Sequence, residues 1–445
     1  MPRFLLFAIV FIEGFCSLGA EVIALRRLVP HMGSAIVVTA PTIGFFLLAL
    51  ALGYHAGGRV AGEYMAVVRR NFLLSALICG LGLAGAVVDG LFALGMPLAM
   101  AYLSFLCLVL CPVAYLLGQT VPVLTNLSLF DRVGEAAGRA LFWSTLGSFL
   151  GAATLSVAVM QWFGVSAAVL LTVALLCMGG LLLGDSGWQS RAVSVGILAL
   201  ALLAAPRVLV GETAYADYKV EPVPLAGVNP RGFLVNNSLA SALDEGRPAS
   251  YTRYIRHIRA LLQEGLGEGA KDVLVLGAGG FTLSHEEPRH RYTYVDIDPA
   301  IRGLAEKHFL KGPARGEFLV DDARHFVATT PRRFDVLVVD VFSNRMSIPG
   351  HLVTAEFWTA SRRVLAPGGL MVANLILDGK LASPYARNLL ATIESVYGRC
   401  AVEVLHKGKP VSNVVVSCQA DPVSEAPRLY RDEKSSVDFD AAGMN

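Results

Sequence analysis

Over 445 residues the chain carries 37 lysines and arginines against 35 acids, a net charge of +2, and 54% of it is hydrophobic. So small an excess, split as +2 in residues 1–206 and zero beyond, excludes the basic surface that nucleic-acid binding requires. Residues 1–206 hold nine arginines, no lysine and seven acids, and every other charge falls in the remaining 239 residues. That break predicts a transmembrane helical domain over 1–206, a connector and β-rich lead-in over 207–250, an α/β domain over 251–420 and a disordered polar tail over 421–445.

A membrane span needs about 20 apolar residues, and seven stretches supply them, at about 4–25, 34–54, 71–95, 97–118, 140–162, 164–184 and 190–206. The first is too long and too rich in acids for a cleaved signal peptide. Glu13 and Glu21 interrupt it. A carboxylate in hydrocarbon faces a bundle interior, a partner or water. Glu13 is therefore the functional candidate of the membrane half, as a contact for a cation or polyamine, or else a structural partner for an arginine such as Arg26 or Arg59. Glu21, near Arg26 and Arg27, reads as part of an interfacial ion pair.

A cytoplasmic N-terminus puts Arg59, Arg69, Arg70, Arg132, Arg139 and Arg191 inside and Arg26 and Arg27 outside, as the positive-inside rule favours. Seven spans then leave the soluble half outside. A cofactor made in the cytosol argues for the cytoplasmic side, and the two expectations conflict.

Cys16, Cys79, Cys107, Cys111 and Cys177 lie in apolar segments without a CxxC or a neighbouring histidine, so they read as packing residues and no metal is expected. Cys400 and Cys418 lie symmetrically about Lys409 and would face each other across a hairpin. A bond between them would require an oxidising compartment.

In the soluble half, Tyr215 to Leu243 is β-rich, and GFLVNNSLASAL fits a hairpin. Ser250 to Leu262 predicts a helix with Tyr251, Tyr254 and Ile258 on one stripe. Five apolar runs follow, in KDVLVLGAGG, RYTYVDIDP, GEFLVDDARHF, FDVLVVDVF and GLMVANLIL, each separated by a helix-length segment. Continuous apolar runs are what a parallel sheet covered on both faces requires. AVEVLH and NVVVSC, joined by KGKP, add an antiparallel hairpin. The fold class expected is a multi-span α-helical membrane domain fused to an α/β, Rossmann-like methyltransferase-type domain with a seven-stranded sheet and a small N-terminal β lead-in.

Ligands of such sheets sit at the carboxyl ends of the strands. Gly277, Gly279 and Gly280 follow the first strand and would let a nucleoside approach the backbone and a helix N-terminus, although a tight turn alone would use the same residues. Asp296 ends the second strand about 20 residues on, the spacing at which an acid accepts from both ribose hydroxyls. Asp298 is the alternative acceptor. Asp321 or Asp322, at the third strand end, can accept from an adenine amino group, and Asp340 closes the fourth strand. Acids at successive strand ends beside a glycine turn point to nucleoside binding.

Through GAGG, YVDIDP, DDARHF and VVDVFSNRMSIPGHLVTAEFW, with SYTRYIRH ahead of them, residues 215–418 resemble the spermidine synthase (polyamine aminopropyltransferase) family. GFFLLALALGYHAGGRVA in the first half resembles its membrane-integrated bacterial branch. The resemblance implies decarboxylated S-adenosylmethionine as co-substrate, attack by a polyamine amine on its aminopropyl carbon, ribose at Asp296, adenine at Asp322 and the entrance to the reactive centre at Asp340. It also implies the lipid bilayer of a bacterial inner membrane and a small-molecule polyamine or other amine as partners, with a homo-oligomer left open.

Two positions depart from the family. Its GGGDG aspartate, which pairs with the cofactor's ammonium, is replaced by Gly280 or Phe281, and its proton acceptor three residues after the fourth-strand acid is Ser343. A hydroxyl is a poor base for an ammonium of pKa near about 10. Asp340 is then the candidate catalytic residue, with Tyr254, His257, Asp244, Glu245 and Ser343 as candidates for an amine pocket. His325 is expected to face solvent, Glu356 to support a helix start after Thr354, and the Ser343–Leu352 loop to be a lid or a plain connection. Three readings follow: an aminopropyltransferase-like enzyme, an S-adenosylmethionine-dependent methyltransferase, or a bundle that transports or senses a polyamine or other solute under a regulatory, degenerate synthase domain.

Overall fold

In the computed structural model of the chain, the described residues are 3–33, 36–126, 133–183, 188–205, 209–224, 227–246, 250–264, 269–341, 349–407, 409 and 411–419. Ser343, most of the loop that leads to Leu352, and the tail expected over 421–445 lie outside them. Two compact units result, one formed mainly by residues up to 207 and the other mainly by residues from 215 onward.

The first unit is helical. Among the described residues, five helices are long and apolar enough to cross a membrane, Phe4–Met32, Ile36–Gly58, Tyr64–Gly82, Leu98–Thr125 and Gly134–Leu182, against seven stretches expected. The difference lies at the end. The expected segments 140–162 and 164–184 share one helix, broken where Gly164 adopts φ 84° and ψ 171°, and the last, Trp188–Ala204, has only 17 residues. The expected third span likewise stops at Gly82 and resumes as the short helix Gly85–Phe92.

Buried polar groups in this unit differ from their expected partners. Glu13 accepts a hydrogen bond from Ser144 at 2.9 Å, not from an arginine. Arg27 pairs with Glu212 at 2.7 Å and donates to the Leu83 carbonyl, while Arg26 donates to the carbonyls of Thr213 and Ala214. Burying a guanidinium demands that its donors be satisfied, and the chain after the last helix supplies acceptors that a reading confined to the first span assigned to Glu21.

The second unit opens on a four-stranded sheet in sequential order, β1 (Leu209–Glu212), β2 (Asp217–Pro222), β3 (Arg231–Val235) and β4 (Ser238–Leu243). β3 and β4 are the expected hairpin, turned by Asn236 and Asn237 at φ 49° and 60°. Asparagine tolerates the left-handed region that a two-residue hairpin turn needs. Helix Arg253–Glu264 follows, and Tyr251, Tyr254 and Ile258 are all buried.

The main sheet has seven strands: β5 (Asp272–Leu276), β6 (Arg291–Asp296), β7 (Glu317–Val320), β8 (Phe334–Val339), β9 (Leu365–Asp378), β10 (Cys400–Val404) and β11 (Val411–Cys418). Their order is β10-β11-β9-β8-β5-β6-β7, parallel from β9 to β7 and antiparallel at the β9–β11–β10 end. Alternate residues serve opposite faces. Leu274 and Leu276 pack with the helices 323–329, 355–363 and 384–397, whereas Val273 and Val275 pack with Ile258, Phe281 and Phe309. One expected helix is missing, because residues 277–290 run as turns. Phe281, at φ 58°, interrupts a helical path, and its ring covers the sheet instead against Tyr294.

Cys400 and Cys418 are directly opposed in the β10–β11 register and are joined as a disulfide, with Cα atoms 4.4 Å apart. The link closes 18 residues of chain. Loop-closure entropy of that size corresponds to about 3 kcal/mol. Reduction, or Cys400→Ser with Cys418→Ser, should therefore speed hydrogen exchange across β10 and β11 by more than tenfold while leaving β5 and β6 protected, a pattern that exchange mass spectrometry reads directly.

Candidate functional site

A cavity of about 220 Å³ lies in the second unit, over the carboxyl ends of the parallel strands. Its wall includes Gly277 and Gly279 after β5, Asp296 and Ile297 after β6, Asp322 and Ala323 after β7, and Asp340 and Val341 after β8. Strands that end in register put those acids around one space. The remaining wall comes from Tyr254, from the β3–β4 hairpin, from Pro349, His351 and Leu352, and from Asn374 and Asn413.

The glycine turn is shaped by sterics. Gly277 sits at φ 89°, and a Cβ there would stand 2.2 Å from the Asp340 carbonyl oxygen. Gly277→Ala should accordingly cost about 2 kcal/mol or more of stability and displace Asp340, so that ligand affinity in a titration falls with it. Gly280 has a different duty, since a Cβ on it would run into the Phe309 ring, and its N–H donates to Ser241 Oγ at 2.9 Å. It is not part of the cavity wall.

Asp296 is held by two backbone donors, Ala278 N–H to Oδ2 at 2.9 Å and Asp298 N–H to Oδ1 at 3.0 Å. Each oxygen keeps acceptor capacity for a further donor. Burial pushes the carboxyl up to about 6, with the backbone hydrogen bonds acting against it. Asp298 is turned away: it is buried, accepts from the Tyr218 hydroxyl at 2.6 Å and from Ala300 N–H, and ties the lead-in sheet to the loop after β6.

Of the acids after β7, Asp322 lines the cavity and Asp321 does not. Asp322 Oδ1 caps helix Ala323–Thr329 by accepting from Arg324 N–H and His325 N–H, which leaves Oδ2 3.5 Å from His351 Nε2. Asp321 pairs with exposed His325 at 2.8 Å.

Asp340 closes a polar chain. Its Oδ1 accepts from Asn374 Nδ2 at 2.8 Å, Asn374 Oδ1 accepts from Asn413 Nδ2 at 3.0 Å, and Oδ2 lies 3.1 Å from the Tyr254 hydroxyl, which also donates to the Ala240 carbonyl. Burial lifts this carboxyl to about 6, against the opposing effect of the Asn374 and Tyr254 hydrogen bonds. Asn374 and Asn413 were not singled out in the sequence. The signal was there, as one amide within VANLIL and another at the head of NVVVSC.

The other amine-pocket candidates lie elsewhere. His257 Nε2 is 3.4 Å from Glu403, Glu245 pairs with Arg231 and Lys311, and Asp244 is buried, accepting from Gly246 N–H. None lines the cavity. Thr354 caps helix Ala355–Arg363, with Glu356 in its first turn.

A family model for the spermine/spermidine synthase domain matches residues 249–406. The polyamine aminopropyltransferase of Mycobacterium tuberculosis is 27% identical over 417 residues, covering 85% of this chain and 72% of its own. That coverage exceeds the soluble half, so the likeness runs into the helical unit. A probable polyamine aminopropyl transferase of Bifidobacterium longum is 34% identical over 194 residues, 42% of each chain. Among solved structures, a probable spermidine synthase from Corynebacterium glutamicum is 24% identical, with a TM-score of 0.40 over 52% of this chain and 82% of its own. Within the second unit, residues 249–406 thus match the spermine/spermidine synthase domain, and the relatives that the chain resembles are polyamine aminopropyltransferases by name.

Proposed function

We propose that this chain is a membrane-bound transferase whose cavity binds an S-adenosylmethionine-type nucleoside, decarboxylated by preference, and passes its aminopropyl group to a polyamine amine. One observation carries the reading: Asp296, Asp322 and Asp340, from three strand ends, meet around one cavity beside the Gly277 turn. Asp296 accepts from both ribose hydroxyls and Asp322 Oδ2 from the adenine amino group, with Ile297 and Leu352 as apolar walls. Five helices of spanning length and composition support attachment to a bilayer.

In the reaction the amine lone pair attacks the methylene carbon on the sulfonium, the carbon–sulfur bond breaks, and its electron pair stays on sulfur. Methylthioadenosine leaves as a neutral thioether. The surplus proton on the new secondary amine passes to Asp340, the ionisable group of the Asn413–Asn374–Asp340–Tyr254 chain.

Incubating the full-length, detergent-solubilised chain with decarboxylated S-adenosylmethionine and a diamine should release methylthioadenosine. Methylated product from the carboxylated nucleoside, with no methylthioadenosine from the other, would instead favour methyl transfer. That second reading draws on the absence of an acid at Gly280 and Phe281, where an aminopropyl ammonium would need one.

A further inference from the structure

We propose that the chain leaves its helical bundle on the non-cytoplasmic side of the membrane, where Cys400 and Cys418 close as an oxidised clasp on the outermost strand of the main sheet.

A Cβ at Gly147 would stand 2.2 Å from Phe11 O and one at Gly151 2.3 Å from Phe15 O, so the helix from Val133 runs parallel to the first. Arg27 reaches Leu83, and both Ile12 and Phe72 flank Gly179, which makes the first and third helices parallel too. Gly53 meets Tyr115 and Gly57 meets Gln119, so the second and fourth are parallel. Asn71 bonds Gln119 while Gly82 meets Val109, and this pair is antiparallel to the third. Past Gly164 the chain reverses, because Gly179 meets Phe72 and Gly80 meets Val173. The last helix turns again, with Ser190 on Arg69 and Ala201 at Gly80.

Among the described residues the result is seven alternating passes, because the break at Gly164 divides the longest helix in two and the 17-residue Trp188–Ala204 makes the last. An odd number leaves the two ends of the bundle on opposite sides. Glu212–Ala214, directly after the seventh pass, agree: they are held by Arg26 and Arg27 at the end of the first pass, and Glu212 also accepts from Ser166 N–H at 2.8 Å where the sixth begins.

Charge then fixes the side. Arg59, Arg69, Arg70, Arg139 and Arg191 all flank the end where the chain starts, five against three, whereas the opposite end has Arg26 and Arg27, both engaged by the chain itself, and, in the sequence after the last pass, Arg207. The rich end belongs in the cytoplasm.

The clasp is a separate observation with the same consequence. Its two cysteines are exact cross-strand neighbours in the β10–β11 register, at a Cα separation that a disulfide spans. Such bonds persist outside the reducing cytosol. Closure removes two protons and two electrons from the thiols. They pass by exchange to a protein disulfide of that compartment, through a mixed disulfide, leaving the carrier as a dithiol.

All eight lysines of the chain lie at or beyond Lys219, so an amine reagent reports the soluble half without any mutation. Sealed spheroplasts expressing the full chain are treated with a membrane-impermeant sulfonated succinimidyl ester, free thiols are blocked with iodoacetamide, and peptides are mapped, with a cytosolic protein as integrity control. Lys307 and Lys380, both exposed, should be acylated equally before and after lysis, and the Cys400 and Cys418 peptides should be recovered joined. Lysines that react only after lysis overturn the assignment of side, and two alkylated cysteines overturn the clasp. Neither result depends on what the cavity binds.

Discussion

Asp296→Ala should weaken nucleoside binding by about 3 kcal/mol or more, a loss of roughly a hundredfold in affinity in calorimetric titrations of the full chain. Two hydrogen bonds to an ionised acceptor, at about 1.5–3 kcal/mol each, set that scale. The substitution also strips Ala278 N–H and Asp298 N–H of their acceptor, so the glycine turn loses its anchor together with the ribose. Asp296→Asn keeps one acceptor oxygen and should fall between. Asp298→Asn is the control. Its carboxylate faces Tyr218 rather than the cavity, so it should cost stability in the lead-in sheet and leave the affinity of folded protein within about threefold. Equal losses from both variants would mean that the ribose is not held where Asp296 stands.

Asp340→Asn should lower turnover by about 10²- to 10⁴-fold, the range for loss of a positioned proton acceptor, while nucleoside affinity stays nearly unchanged. With its carboxyl raised to about 6, kcat/KM should climb as pH rises through that value, because the base works ionised. Asn374→Ala removes the amide that favours the charged form and should move this limb to higher pH. Stability runs the other way. A carboxyl whose folded value exceeds the unfolded one of about 3.9 contributes stability that is complete below about pH 4 and lost as pH rises through 6. Above pH 6, Asp340→Asn should therefore stabilise the sheet by about 1–2 kcal/mol, seen as slower hydrogen exchange in β8 and β9, and below pH 4 it should change little. An inactive variant that is also less stable at pH 8 would contradict this account of the burial.

Much of this was readable from residues alone, for identifiable reasons. Apolar runs with glycines or acids at their ends define parallel strands and where they stop, so β5 to β9 and the acids at their tips followed from pattern. The symmetric placing of Cys400 and Cys418 about Lys409 likewise fixed their register. What pattern could not show was direction of side chains after the strand end. Asp296 and Asp298 are two residues apart, as are two neighbours on one face of a strand, yet the chain turns between them and only Asp296 meets the cavity. Similarly, adjacent Asp321 and Asp322 divide between a surface histidine and the wall. Asn374 and Asn413 acquire meaning only through cross-strand contact, 39 residues apart in sequence. In the helical half, composition located the apolar stretches, while the break at Gly164 and the Arg27–Glu212 pair depended on packing.

If the acids at the tips of β6, β7 and β8 surround an adenosyl group, a structure of the chain with methylthioadenosine, the nucleoside that aminopropyl transfer would leave behind, will show it. The ribose hydroxyls should lie within hydrogen-bond distance of both Asp296 oxygens, the adenine amino group beside Asp322 Oδ2, and the sulfur towards Asp340. Nucleoside bound elsewhere, or a cavity still empty at saturating ligand, would contradict it.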